Sequence, residues 1–164
     1  MIDKKLKELS ACKDARAWAQ GKSWQEIYTT CKRGDWLLWL FAKVNPDNLR
    51  ELTLAKAKCA RTVFHLMKDE RSRRAVIVAE NFGRGVATRH ELDAAAYAAY
   101  AADAAAAAAA AAYAYDAAAA AAYAAAAAAD AYAYAAARIE NQKQTADICR
   151  KYLPIEIWNI KDES

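Results

Sequence analysis

Residues 94–137 read AAAYAAYAADAAAAAAAAAYAYDAAAAAAYAAAAAADAYAYAAA, 34 alanines in 44 positions with seven tyrosines and three aspartates between them. Alanine loses no rotamer freedom on becoming helical and has the best intrinsic helix propensity. No Gly, Pro, Ser, Lys, Arg or branched aliphatic residue interrupts the stretch. It is helix, and it sets the fold class. It also narrows the chemistry, because a methyl group is no acid, base, ligand or nucleophile.

The sequence on either side carries helix punctuation and no strand alternation. Ser23-Trp24-Gln25-Glu26 is a capping box, in which the Glu side chain reaches back to the Ser amide. Gly34 is expected to end that helix and Asp35 to cap the next, Trp36 to Val44, whose WLLWLFAKV is apolar nearly all round and belongs at the centre. Asn45-Pro46-Asp47 breaks it and starts a helix expected to run through Met67. Leu49, Leu52, Cys59, Val63 and Leu66 fall near one stripe of that helix, widened by Phe64 and Met67. A charged stretch from Lys68 to Arg74 leads into a helix to about Phe82, stopped by Gly83 and Gly85. Thr88-Arg89-His90-Glu91 is a second capping box and launches the alanine tract. The reading is a single all-α domain over 1–164, a multi-helix bundle. Residues 1–88 form short Trp-rich helices, 89–153 close-packed antiparallel Ala-rich helices, and 154–164 a tail.

The tract is expected to double back, because residues 89–153 as one helix would be roughly 97 Å long, far beyond a radius of gyration near ~15 Å. Tyr97, Tyr100 and Asp103 lie on one side of a helical wheel, and Tyr113, Asp116, Tyr123, Asp130 and Tyr134 nearly opposite. The nine alanines 104–112 lie between the groups, so a turn is expected near them or near Asp116. The tyrosines would fix register between featureless helices, or with the aspartates line a polar groove. Left in solvent, the same surface would be a face for a partner or for a homo-oligomer.

Residues 1–93 carry 19 Lys/Arg against 12 Asp/Glu, the tract only Asp103, Asp116 and Asp130, and residues 138–164 five of each sign. Lysine on helix surfaces explains the basic part more simply than a nucleic-acid partner. The longest uncharged runs of the tract, 104–115 and 117–129, fall short of the ~18 residues of a membrane span. Cys12, Cys31, Cys59 and Cys149 lie far apart, without C-x-x-C or Cys/His ligand spacing. With no signal-peptide pattern, reduced cytosolic thiols are expected, and no metal or cofactor.

His65 and His90 lack local Ser, Cys or carboxylate partners, and Gly83-Arg84-Gly85 follows a helix rather than a strand, unlike a phosphate loop. No enzymatic constellation emerges. Candidate binding residues are Trp36 and Trp39, which with Trp18 and Trp24 are core unless a groove exposes them. To these add Arg71, Arg73 and Arg74, a cluster suited to phosphate or carboxylate, and Tyr113, Asp116 and Tyr123 of the possible groove. Alanine richness alone suggests a fibre or ice-binding helix, but residues 94–137 lack the spaced threonines, and a fibre would not need the Trp-rich part.

RGDWLLWL at 33–40, LAKAKCARTVFHLM at 54–67, ERSRRAVIVAENFGRGVATRHELDAAAYAAY at 70–100, the Ala/Tyr/Asp tract and ADICRKYLP at 146–154 occur in that order. The order resembles an alanine-rich family of immunity proteins found beside bacterial polymorphic toxin systems. The resemblance covers residues 30–154 and includes several landmarks that are not alanine. It implies a small cytosolic helical protein that binds and neutralises a protein toxin, and it transfers no set of active residues. The neighbouring expectation is a phage or mobile-element protein that sequesters a host defence factor or a small nucleotide signal.

Overall fold

Both capping boxes start helices. Ser23 Oγ accepts from the Glu26 amide at 3.2 Å while the Ser23 amide donates to the Glu26 carboxylate at 2.7 Å. Thr88 and Glu91 repeat the exchange at 3.2 and 2.7 Å. The computed structural model describes residues 2–62, 64–66, 69–113 and 137–160, with side chains in those ranges except at 66 and 102–113. Its helices are α1 (Ile2–Glu8), α2 (Lys13–Ala19), α3 (Trp24–Thr30), α4 (Gly34–Val44), α5 (Leu49–Arg61), α6 (Glu70–Gly83), α7 (Arg89–Tyr113) and α8 (137–152). Short 3-10 turns occupy Phe64–Leu66 and Ile155–Ile157, and no strand occurs among the described residues. The protein is an all-α helical bundle, as its sequence predicts.

Apolar α4 lies at the centre. Leu37, Leu40 and Phe41 are buried and meet Leu6, Ile27, Tyr28, Leu52, Ala55, Ala146, Cys149, Leu153 and Trp158 in one core. Leu and Phe side chains in such a core each contribute about 1.5–3 kcal/mol of burial. α8 is bound to the N-terminal helices by polar contacts as well. Tyr28 Oη donates to the Arg150 carbonyl at 3.0 Å, and the Arg150 guanidinium donates to the carbonyls of Tyr28 and Cys31 at 3.1 and 2.9 Å. A cation there complements the C-terminal end of α3, where helix carbonyls lack partners.

The N-terminus of α4 differs from the sequence expectation. Gly34 does not end α3, which stops at Thr30 with Cys31 as its C-cap, and Asp35 is not a cap. Gly34 is the first residue of α4, the N-cap position is Arg33, and the Asp35 carboxylate accepts from Arg33 Nε at 2.8 Å. Glycine is needed at that point for space, since a Cβ on Gly34 would lie 2.7 Å from Thr145 Cβ in α8.

α5 also departs from expectation. It ends at Arg61 rather than Met67, and Thr62 Oγ1 donates back to the Cys59 carbonyl at 2.7 Å while accepting from Asn141 of α8 at 2.6 Å. Its buried residues are Leu52, Thr53, Ala55 and Ala57, with Cys59 half-buried. The helix packs against α4 and α6. Of the expected stripe Leu52 is buried and Leu49 and Cys59 are half-buried, while Val63, Met67 and the Leu66 side chain lie outside what is described. α6 begins on Asp69, whose side chain accepts from the Arg71 amide, and ends at Gly83 as expected, with Gly85 at φ +79°. Buried Glu80 of α6 faces α5, accepting from Lys58 Nζ at 3.1 Å and Arg61 Nε at 2.9 Å.

α7 packs on α6 and is helical straight through 104–112, so the turn expected near that run does not fall within it. The alternative turn at Asp116 and the rest of the doubled-back tract lie outside the described residues. Tyr97 and Tyr100 are 78% and 75% exposed, so at this end of α7 the tyrosines do not set register. The segment after Pro154, expected as a tail, packs through Ile160. Trp158 is buried edge-on against Tyr28 and Phe41, at 5.5 Å from each ring, and its Nε1 donates to the Leu153 carbonyl at 2.9 Å. Asn45, 2% exposed, holds the segment by donating to the Ile157 carbonyl at 2.6 Å and accepting from the Asn159 amide at 3.3 Å. No described helix is long and apolar enough to cross a membrane.

Candidate functional site

α4 carries Trp36 and Trp39 one turn apart at the edge of the core rather than in its centre. Both are half-buried, as is Trp18 of α2, which lies with its ring 6.0 Å from that of Trp36 at a 58° tilt. The three indoles border a crevice of about 30 Å³, the room of a single small group. Its walls are Leu6, Ala15, Ala19, Ile27, Leu37 and Leu40. The helical spacing 36, 39, 40 puts two tryptophans and a leucine on one α4 face, and α2 supplies the opposing wall.

Cations lie over two of the three rings. Lys22 Nζ lies 4.5 Å from the Trp18 ring centre and also donates to the Trp18 carbonyl. The Arg33 guanidinium lies 4.6 Å from the Trp36 ring centre. Such cation–π contacts contribute about 0.5–1 kcal/mol at exposed sites. The Arg33 hydrogen bond holds the Asp35 carboxyl below its ordinary pKa, and Asp35 in turn raises that of Arg33. Cys31 is the thiol in the crevice wall. Burial pushes its pKa up, and its Sγ–H donates to the Arg33 carbonyl at 3.5 Å, so it is held as a thiol and not a thiolate nucleophile. What the crevice offers is apolar contact and flanking positive charge.

Trp18, half-buried beside Trp36, is the rim residue that sequence reasoning left in the core. Its place beside Trp36 comes from the α2–α4 packing, which no local spacing encodes. Trp24 is buried, as expected of core. A second concavity of about 170 Å³ lies between α3, α4 and the C-terminal segment, bordered by Trp24, Tyr28, Leu40, Ile155, Trp158 and Ile160.

The arginine cluster stands apart from the crevice, on α6, with α5 packed between α4 and α6. Arg71 is engaged with the Asp69 carboxylate through Nη2 at 2.8 Å. Arg73 pairs with Glu70 at 3.3 Å and, with Arg61, flanks the Phe64 ring at 4.9 and 4.3 Å. Arg74 is exposed, with no ion pair among the described residues. Two of the three guanidinium groups thus already have local carboxylate partners. Tyr113 is the last described residue of α7, its side chain is not described, and Asp116 and Tyr123 lie outside the described residues. His65 and His90 are exposed, and no group of three His, Cys, Asp or Glu side chains suited to a metal ion occurs among the described residues.

Comparison with protein families, with curated proteins and with solved structures finds no match to this chain.

Proposed function

We infer that the protein is a non-catalytic binding protein that neutralises a protein toxin or defence factor, with the tryptophan rim of α2 and α4 as its contact surface. The observation that carries this reading is three half-buried indoles at one crevice, Trp18 beside Trp36 with Lys22 and Arg33 over those two rings, and Trp39 one turn along α4. Indole rings held rigid by a core and flanked by cations have the composition of interface hot spots. The resemblance of its landmark order to immunity proteins makes a toxin the favoured partner. The apolar walls and the protonated Cys31 thiol at the crevice fit contact better than turnover.

Co-expression with the toxin genes that neighbour its own gene tests the reading. Protection of growth against one of them is expected, with a complex that survives purification. Trp36→Ala together with Trp39→Ala should abolish protection while leaving the helical circular dichroism in place. A truncated hot-spot residue costs about 2 kcal/mol or more, a loss of roughly thirtyfold in affinity for each. Failure to protect against every neighbouring toxin overturns the immunity reading.

A further inference from the structure

α2 has a second face, turned away from the tryptophans. Lys13, Arg16, Ala17 and Gln20 recur along it at helical spacing, opposite Asp3 and Lys7 of α1, and together they enclose an open recess of about 270 Å³. That lies just under the about 300–1,000 Å³ typical of small-molecule sites. Three of the six lining residues are cations and one is an anion. Asp3 is held by Lys7 at 2.8 Å, whereas Lys13 and Arg16 have no ion pair among the described residues. The Arg16 Nε atom is buried and without a hydrogen-bond acceptor among the described residues. A buried donor left without an acceptor is costly, more so on a charged group. Gln20 adds an uncharged amide at the far end.

We propose that this recess binds a phosphoryl group carried by a small molecule, with Arg16 and Lys13 as its charged ligands. A phosphate dianion matches the two cations that lack an ion pair, in a lining whose one carboxylate, Asp3, is already paired with Lys7 and also feels Arg16. Its tetrahedral oxygens accept the parallel N–H pair of a guanidinium, which an ammonium cannot offer. The site is independent of the tryptophan rim, since opposite faces of α2 build the two.

The test is a titration of the full chain with inorganic phosphate at constant ionic strength, following the Arg16 Nε–H resonance by nitrogen-15 NMR. A saturable shift of that resonance is expected. Arg16→Lys, which retains the charge but removes the guanidinium fork, should weaken binding by about tenfold or more, the factor carried by one charge-assisted hydrogen bond. Lys13→Gln, at an exposed position that does not threaten folding, should weaken it as well. Lys43→Gln, an exposed lysine in the last turn of α4, controls for net charge and should bind like the parent. A shift that grows linearly without saturation overturns the proposal, and so does unchanged affinity in Lys13→Gln or in a folded Arg16→Lys. Comparison of phosphate with a nucleoside monophosphate then reads whether the recess also holds what bears the phosphoryl group. Tighter binding of the monophosphate supports a small-molecule ligand, and loss of binding overturns it.

Discussion

Gly34 and Thr145 come so close that a Cβ on Gly34 would meet both the Thr145 Cβ and its carbonyl carbon at 2.7 Å. The start of α4 is thereby fitted against the middle of α8. Alanine in place of glycine normally stabilises a helix by about 1 kcal/mol. Here the added methyl overpacks a contact that includes backbone, at a cost of about 1–3 kcal/mol. Gly34→Ala should therefore destabilise the protein despite its better propensity. Chemical denaturation checks the sign, and a stabilised variant would show that α8 can move away from α4.

Asn45 is the polar clamp on the C-terminal segment. Asn45→Leu would leave the Ile157 carbonyl and the Asn159 amide without their side-chain partner, at about 1–3 kcal/mol for each buried group left unpaired. Local release should accompany that loss. The Asn159 amide is expected to exchange faster with deuterium, and Trp158 fluorescence to shift to the red, before the rest of the bundle unfolds.

The Glu80 carboxylate is held below its ordinary pKa first by the Arg61 hydrogen bond and further by Lys58, against the opposing effect of burial. A folded-state pKa below the unfolded value contributes stability above the unfolded pKa, and the contribution is lost as pH falls through the folded one. Glu80→Gln should cost about 1.5–3 kcal/mol at neutral pH, given that Lys58 and Arg61 are partly hydrated. The gap between parent and variant should stay constant above the ordinary carboxylate range and close below it. Paired urea melts across acidic pH measure that gap directly.

The four thiols should separate by reactivity. Cys12 is exposed and should react first with a thiol reagent in the native protein. Cys149 is pushed far above its ordinary pKa by its contact with Cys59 and by burial, and Cys31 is raised by burial. Both should react only as the protein opens, with half-buried Cys59 between the extremes. Mass spectrometry of partially labelled protein reads the order, and early labelling of Cys149 would contradict the packing of α8.

What could be read in the sequence was local. The Ser23 and Thr88 boxes depend on neighbours within a few positions and were legible, as was the stop at Gly83 and Gly85, whereas the Asp69 cap of α6 did not stand out within its charged stretch. Gly34 was misread because its reason lies in Thr145, more than a hundred positions away. α5 was extended too far because the Asn141 side chain that meets Thr62 arrives from α8. Trp36 and Trp39 could be named as candidates from their place on an apolar helix. Their half-burial and the company of Trp18 depend on how α2 packs. The α1–α2 recess left no trace as a motif, since Lys7, Lys13 and Arg16 read in sequence as ordinary surface charge.

The core that surrounds α4 draws Ala146, Cys149, Leu153 and Trp158 from beyond the alanine tract, and Tyr28 finds its partner Arg150 122 positions downstream. On the ribosome, then, the first five helices are made well before their lids exist. α5, α6 and α7, which pack in sequence order, can associate while the chain is still being extended, whereas Leu37, Leu40 and Phe41 must wait with apolar surface open. Contacts of such long separation close slowly, because loop entropy is lost before they form. The alanine tract thus occupies the interval of synthesis between an unfinished core and its completion, and its strong local preference for helix keeps that waiting segment from offering β-prone sequence to neighbouring chains.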